Sequence, residues 1–497
     1  SMFSPQISRT YHNSGNRPSF LQITKAWADL AQAFSLAPLD ALLQPLIDET
    51  LKEQGQDTSR KGTVLFPRLL IWLVLVLTLR RDLNYDRALN WMVSGFRWLT
   101  EKLPAQSKLV SDGAISHARV KLGVGVFRSL FDKLVKTLPP LVPDFHGRVS
   151  VVFDGTTGSM PDTEQNRAEF GKPGTRRGQA AFPQVRLMAL LAVMPRRLLD
   201  IAWAPYRGKG TGERALLWEI LARQACQGLL FLLDAGLYSF ELLRHFQQQE
   251  GAFIIKTPAQ VKPRRLQRLA DGSWLAEVTG KIADPETSAA PNGRQRWHSV
   301  TLSVRILRIE IPGFRPFCLM TNLLDPTLTA REIALHYHQR WDIEIAYDEI
   351  KTHQCATLRG QAPTTFRSKL PDLVKQEVYA LAITYNALRA LISQAATPQG
   401  QDPRSLSFLE VLQHILDAAP VLSALPLEQR ESKRGYLLTL LADCHIDRPR
   451  RPRLNPRVVK VKMSKFACKN ASHQSQTREI TKELKIVEVE LAGVPAT

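Results

Sequence analysis

The chain has 497 residues, of which 66 are lysine or arginine and 46 are aspartate or glutamate, so its formal net charge is +20. This excess favours a polyanionic partner, either a nucleic acid or an anionic membrane. The most apolar run, residues 69–79, is much shorter than the roughly 20 residues of a spanning helix. Five dispersed cysteines show no metal-site spacing. We therefore expect a protein with no membrane span, no secretory leader and a reducing, cytoplasmic location.

The N-terminal part, residues 1–145, is predicted to be a helical DNA-binding domain. Apolar residues recur at helical spacing in 36–52, and the run 69–79 is typical of a buried helix. Residues 110–123, which include Arg119 and Lys121, suit a helix-turn-helix whose second helix faces DNA. A purely structural helical hairpin fits this segment about as well.

Strands and helices alternate in residues 146–256, which predicts an α/β arrangement with a mixed sheet. The apolar run 149–153 ends at Asp154, and the run 229–233 ends at Asp234. A carboxylate in that position leaves the C-terminal edge of a sheet and enters a crevice. Either aspartate alone is more often a turn or cap residue, but two in this position favour a site.

Residues 257–325 alternate as strands and form a predicted β-rich, basic insertion. Trp297 in this insertion has two interpretations, core packing or stacking on an unpaired base. The core resumes in 326–396, and 397–497 is predicted to be helical and to end in a basic arm that contains Arg457 and Lys460. Such an arm is either a solvated tail or a segment that neutralises DNA phosphates.

The segment 337–351 is the most informative part of the chain. At the α-helical period, Tyr337, Arg340, Glu344 and Lys351 share one stripe. A carboxylate, two cations and a phenol on one stripe suit a metal ion beside a phosphate backbone. A solvated charged face is the alternative.

These residues resemble a known family. Tyr337, Arg340, Glu344 and Lys351 match the Y-R-E-K signature of the insertion sequence four family of bacterial DDE transposases. The blocks 151–162 and 232–239 are similar to the two aspartate motifs of that family, although Ala235 stands where many members carry arginine.

The resemblance implies a ribonuclease H-like core interrupted by the β-rich insertion, with helical N- and C-terminal regions. It implies that Asp154, Asp234 and Glu344 bind two Mg²⁺ ions, for which Mn²⁺ can substitute. Tyr337, Arg340 and Lys351 would then grip phosphates near the cut.

The implied function is cut-and-paste transposition of a bacterial insertion sequence, by two-metal-ion hydrolysis at the transposon ends and strand transfer into target DNA. The expected partners are double-stranded DNA, both terminal inverted repeats and target, and a second copy of the chain in a paired-end complex. The expected location is the bacterial nucleoid. Two alternatives stay open: a transposase-derived DNA-binding protein, and a structure-specific nuclease without strand transfer.

Overall fold

A mixed α/β core built on one large sheet organises the chain. The computed structural model describes residues 34–59, 63–96, 110–175, 178–283, 297–357, 360–361, 364–446, 453–456, 458–459 and 467–487. The sheet has ten strands: β1 Val149–Ser159, β2 Gln184–Ala192, β3 Arg197–Pro205, β4 Leu229–Leu233, β5 Ala252–Lys256, β6 Arg264–Arg268, β7 Trp274–Ala283, β8 Trp297–Glu310, β9 Phe317–Thr321 and β10 Lys485–Val487. The helices are α1 Ala37–Glu53, α2 Pro67–Leu79, α3 Tyr85–Met92, α4 Asp112–Leu122, α5 Gly125–Thr137, α6 Glu164–Phe170, α7 Glu213–Leu221, α8 Phe240–Gln248, α9 Ala330–Tyr337, α10 Asp342–Asp348, α11 Pro371–Ala396, α12 Phe408–Ala424, α13 Leu427–Ala442 and α14 Ile480–Glu483.

The first five strands have the ribonuclease H-like arrangement. Their spatial order is β3-β2-β1-β4-β5. β2 is antiparallel to both β1 and β3, whereas β1, β4 and β5 are parallel. The central strands are apolar because helices cover both faces of the sheet. The predicted fold class is therefore confirmed.

The β-rich segment continues this sheet. β9 pairs antiparallel with β5, and β8, β7 and β6 follow in order. The short strand β10, near the C-terminus, pairs with β8. The predicted strands of residues 257–325 therefore extend the core sheet, one strand after another, beyond β5.

Helices form two layers, one on each side of the sheet. α7 and α8 pack on one face, where their apolar residues join Val151 and Phe153 of β1. The other face carries the helices α9 to α11, together with the N-terminal helices α1, α2 and α5.

The apolar run 69–79 lies in α2, where every residue from Leu69 to Leu79 is buried. The prediction of a buried helix there is confirmed. Within the described ranges, no helix is both long and apolar enough to cross a bilayer.

Candidate active site

The two predicted aspartates lie level with each other on neighbouring parallel strands. β1 and β4 pair from Val149 opposite Leu229 to Val152 opposite Leu232. If this register is extended by two residues along both strands, Asp154 is level with Asp234. Adjacent strands are about 4.8 Å apart, so the two carboxylates share the carboxyl edge of the sheet.

The strand that carries Asp154 is longer than predicted. β1 continues to Ser159 because β2 pairs with it up to Ser159 opposite Gln184. Asp154 therefore lies in a part of β1 that is paired on one side only, whereas Asp234 follows the end of β4. β4, the parallel partner, ends before β1 does, and this leaves Asp154 unpaired on the β4 side.

Asp154 lies in an environment that disfavours its charge. Burial raises the pKa of its carboxyl group, and the nearby carboxylates of Glu213 and Asp234 raise it further. The Gly155 N–H, which donates to Asp154 Oδ1 at 2.9 Å, and the guanidinium of Arg340 act in the opposite direction on this pKa. Burial is the largest of these causes, and it favours the neutral carboxylic acid.

The segment predicted as one helix is a helical backbone whose pitch changes three times. Thr329 and Glu332 form a capping box that begins α9. Residues His338–Trp341 form a 3₁₀ turn, α10 follows, and residues Glu349–Gln354 form a π-helix. Changes of this kind are frequent at functional sites. They also rotate the predicted stripe, so its residues do not all face the same way.

Three side chains of this helical segment are bonded to the backbone beside the two aspartates. The Tyr337 hydroxyl donates to the Leu233 carbonyl at 2.9 Å, directly before Asp234. The Tyr347 hydroxyl donates to the carbonyl of Asp154 itself at 2.6 Å. The Lys351 ammonium donates to the Thr157 carbonyl at 2.9 Å and to the Thr156 hydroxyl. These bonds hold the helix that carries Glu344 against both strands.

The predicted phosphate contact of Tyr337 is therefore wrong for this structure. Its side chain is buried, with 9 % of its surface exposed, and its hydroxyl is engaged with β4. Lys351 is half-buried, and burial lowers the pKa of its ammonium group. Both residues position the helix here, a role that depends on strand neighbours and is invisible in a helical stripe.

Glu344 is paired with the arginine of its own signature. Arg340 Nη2 lies 3.5 Å from Glu344 Oε1, and the Glu344 side chain is 41 % exposed. The same guanidinium lies 5.4 Å from the centre of the Trp341 ring. The charge of Arg340 also lowers the pKa of Asp154, so one guanidinium interacts with the carboxylates of both β1 and α10.

The opposite side of the helical segment is held by a buried ionic network that the sequence analysis did not identify. Arg196, in the turn between β2 and β3, donates to Asp342 at 2.6 Å and to Glu349 at 3.4 Å. Tyr385 of α11 donates to Glu349 at 2.9 Å, and Arg389 of the same helix also pairs with Glu349. Charges on an amphipathic helix normally predict solvent exposure, so no sequence signal pointed to this network.

The residues fit a divalent metal ion in donor chemistry, although their side chains are not yet gathered around one. Among the described residues, no group of three or more His, Cys, Asp or Glu side chains is close enough to hold an ion. The available donors are carboxylate oxygens, which Mg²⁺ prefers. Asp154 and Asp234 share one edge, and the Glu344 carboxylate is turned toward Arg340.

The other predicted DNA contacts have different outcomes. Arg119 is 2 % exposed and bonded to Gln376 and Tyr85, so its predicted contact with DNA is wrong: it joins α4 to α11. Lys121 is exposed. Trp297 is 60 % exposed, which excludes core packing. Arg457 and Lys460 lie outside the described residues.

Comparison with known proteins agrees with this architecture. The family profile described as "Insertion element 4 transposase N-terminal" matches residues 34–132, and that described as "Transposase DDE domain" matches residues 146–387. Transposase InsG for insertion sequence element IS4 of Escherichia coli (strain K12) is 27% identical over 458 residues, which cover 88% of this chain and 95% of that protein. The putative transposase InsZ of the same organism is 29% identical over 149 residues, which cover 29% of this chain and 48% of that protein.

A structural similarity was also found to the cryo-EM structure of a piggyBac transposase synaptic complex with hairpin DNA. The TM-score is 0.41 and the sequence identity 9%, over 82% of this chain and 85% of that chain. The family profiles together extend over the helical N-terminal region, the strands of both aspartates and the helix of Glu344. The chain belongs to the insertion sequence four family of DDE transposases, enzymes that act on DNA and depend on divalent metal ions.

Proposed function

We propose that this transposase excises its element and joins it to target DNA by two-metal-ion chemistry at Asp154, Asp234 and Glu344. One observation carries the assignment: the parallel register of β1 and β4 brings Asp154 level with Asp234. The bonds from Tyr337 and Tyr347 to the backbone at Leu233 and Asp154 support it, because they hold the helix of Glu344 at the same edge.

The three carboxylates would have different roles in binding the metal ions. Asp154 is central, since it has Asp234 on the next strand and the helix of Glu344 above it, and it would contact both Mg²⁺ ions. Asp234 and Glu344 would each complete one ion. Held by these carboxylates, two Mg²⁺ ions would supply the Lewis acidity needed to activate a water or a DNA 3′-hydroxyl and to stabilise the leaving oxygen. Mn²⁺ would be able to substitute.

Arg340 changes partner in this proposal. In the structure its guanidinium pairs with Glu344 at 3.5 Å. When Glu344 turns toward the aspartates, that guanidinium is released beside the cut and can grip a phosphate through its bidentate fork. The pairing would therefore keep Glu344 and Arg340 neutralised until DNA and metal arrive.

We further propose that the protein works as a homodimer on paired terminal inverted repeats, at the nucleoid in the cytoplasm. The helical region 1–145 would bind the ends with Lys121 on its exposed surface. Trp297 would stack on an unpaired base, and Arg457 and Lys460 of the basic arm would neutralise phosphates. Its net charge of +20 supports a DNA partner.

The test uses Asp154→Ala, Asp234→Ala and Glu344→Ala with labelled duplexes that carry the element's own ends. Each variant should lose cleavage in Mg²⁺ and retain end binding, because affinity comes mostly from phosphate contacts. Asp348→Ala is the matched control, since Asp348 is an exposed carboxylate one turn after Glu344. Cleavage at the wild-type rate in any of the three alanine variants would disprove the site.

The products also separate the two alternatives. A duplex that is bound but never cut would identify a DNA-binding protein derived from a transposase. Cutting without joining to a supplied target plasmid would identify a structure-specific nuclease. Cutting followed by joining is the result expected for a transposase.

A further inference from the structure

A lysine outside the family signature, Lys256, lies level with the two predicted aspartates. β4 and β5 are parallel, and their pairing ends with Leu233 opposite Ile255. If this register is extended by one residue along both strands, Lys256 is level with Asp234, as Asp234 is with Asp154. Adjacent strands are about 4.8 Å apart, so Asp154, Asp234 and Lys256 form a row across three neighbouring strands, here called the edge row.

The side chains of the edge row leave the sheet on one face. Side chains alternate between the two faces along a strand, so each member of the row shares its face with the residue two positions before it. Those three residues pack in the same apolar core: Val152, Leu232 and Ile254. This core belongs to the face that α9 to α11 cover, so the lysine lies on the same side of the sheet as the two carboxylates.

The Lys256 ammonium is directed past the end of β5 and has no carboxylate partner among the described residues. Nζ lies 5.0 Å from the centre of the Phe317 ring. Leu319 is opposite Lys256 in the antiparallel pairing of β9 with β5, so Phe317 lies beyond Lys256 in the direction in which β5 ends. The side chain is half-buried. A cation over an aromatic face keeps its hydrogen-bond donors, so this ammonium is held in place and can still bind an anion.

The substrate of the proposed reaction brings negative charge to a site that is itself made of carboxylates, because every DNA phosphate carries a charge. Arg340 supplies a cation on the side of the helical segment, where its guanidinium lies 3.5 Å from Glu344. Lys351, the other signature cation, donates to the backbone of β1. Lys256 supplies a cation on the opposite side, next to Asp234 in the edge row.

We propose that Lys256 binds the phosphate next to the one being cut, on the Asp234 side of the site. The DNA strand would then cross the sheet edge from β1 over β4 to β5. Lysine suits this contact because its ammonium is a point charge on a flexible stem. A contact with a phosphate positions the strand and reads no sequence. The inference rests on the proposed function of Asp154 and Asp234, and it adds a substrate contact that the signature does not contain.

The test is a double-mutant cycle between protein and DNA, measured as binding without divalent metal so that no strand is cut. Duplexes carry the element's own end, and one phosphate at a time on either side of the cut is replaced by a neutral methylphosphonate. At the contacted phosphate, this replacement should weaken binding to the wild type about 10-fold, near the lower limit for a hydrogen bond to a charged group. It should weaken binding to Lys256→Gln little, because two changes that remove one contact are not additive.

Lys433→Gln is the matched control. It removes the same charge from an exposed lysine of α13, a helix that packs against α11 and α12. It should respond to every methylphosphonate as the wild type does. Lys256→Gln should also make the slope of log affinity against log salt less steep by about 0.9, the value for one phosphate contact on duplex DNA, whereas Lys256→Arg should keep the slope. Thermal melting of each variant checks that the fold is intact.

The position of the coupling separates failure of this inference from failure of the proposed function. Coupling between Lys256 and a phosphate beside the cut would support both. Additive losses at every position would overturn the lysine contact and leave the three-carboxylate site standing. Coupling confined to a phosphate far from the cut would overturn both, because the edge row would then not face the cleaved bond.

Discussion

Glu349 is expected to stabilise the helical segment that carries Glu344 through its charge, and Glu349→Gln tests this. Glu349 is 6% exposed, and it faces Arg389, which is 1% exposed, and Arg196, which is 6% exposed. Tyr385 also donates to it, at 2.9 Å. Glutamine has nearly the same shape, so the substitution removes the charge and leaves the packing.

The magnitude follows from what each arginine retains. Arg196 keeps its bond to Asp342 at 2.6 Å, whereas among the described residues Glu349 is the ion-pair partner of Arg389. The variant therefore buries one uncompensated guanidinium. Breaking a buried pair in this way costs about 3–5 kcal/mol. An exposed pair, such as Glu219 with Arg223, contributes only about 0–1 kcal/mol.

The assay is urea denaturation followed by tryptophan fluorescence, with Glu219→Gln as the control. The free energy of unfolding should fall by about 3–5 kcal/mol for Glu349→Gln and by less than about 1 kcal/mol for Glu219→Gln. Cleavage of transposon ends should also slow at temperatures where the variant is folded, since Glu349 directly follows the helix that carries Glu344.

A double variant distinguishes charge from packing. Replacing a buried ion pair with apolar residues of similar size is often neutral or stabilising, so Glu349→Leu combined with Arg389→Met should recover most of the lost stability. A loss below about 1 kcal/mol in Glu349→Gln would refute the argument that its buried charge is needed. So would a double variant as unstable as the single one.

Three further predictions concern other parts of the site. Tyr347→Phe removes the hydroxyl that donates to the Asp154 carbonyl at 2.6 Å; it should cost about 0.5–1.5 kcal/mol of stability and slow cleavage without changing DNA affinity, whereas normal cleavage would show that this anchor is dispensable. Burial lowers the pKa of His336 to about 4, so the neutral imidazole contributes stability above its ordinary pKa of 6.5, and this stability is lost as the pH falls toward 4. Melting temperatures measured from pH 7 to pH 4 should therefore fall less steeply in His336→Gln than in the wild type. Equal slopes would contradict this origin of the pH dependence. Trp297 is 60% exposed, so Trp297→Ala should change stability by less than about 0.5 kcal/mol but weaken binding of DNA with an unpaired base by about 1–3 kcal/mol; unchanged affinity in a binding titration would exclude base stacking.

Much of the fold could be predicted from the sequence because it depends on local patterns. The apolar run that ends at Asp234 was predicted to be a strand, and it is one. The uniformly apolar run 69–79 was predicted to be a buried helix, and it is buried in α2. Strand length was less accessible: β1 extends past Asp154 because β2 continues beside it, and pairing partners do not appear in a local pattern.

The residue types at the site were determined by the sequence, whereas their roles were decided by the tertiary structure. Asp154, Asp234 and Glu344 are distinguished by motif and by the oxygen chemistry of their side chains. Tyr337 and Arg119 looked like DNA contacts because phenols and guanidiniums bind phosphates, yet non-local partners bury both. The buried network around Glu349 had no signal at all, since Arg196 and Arg389 reach it from other elements. The chemistry of a side chain depends only on its residue type. Its partners depend on strand register and helix packing, which bring together residues that are far apart in the chain.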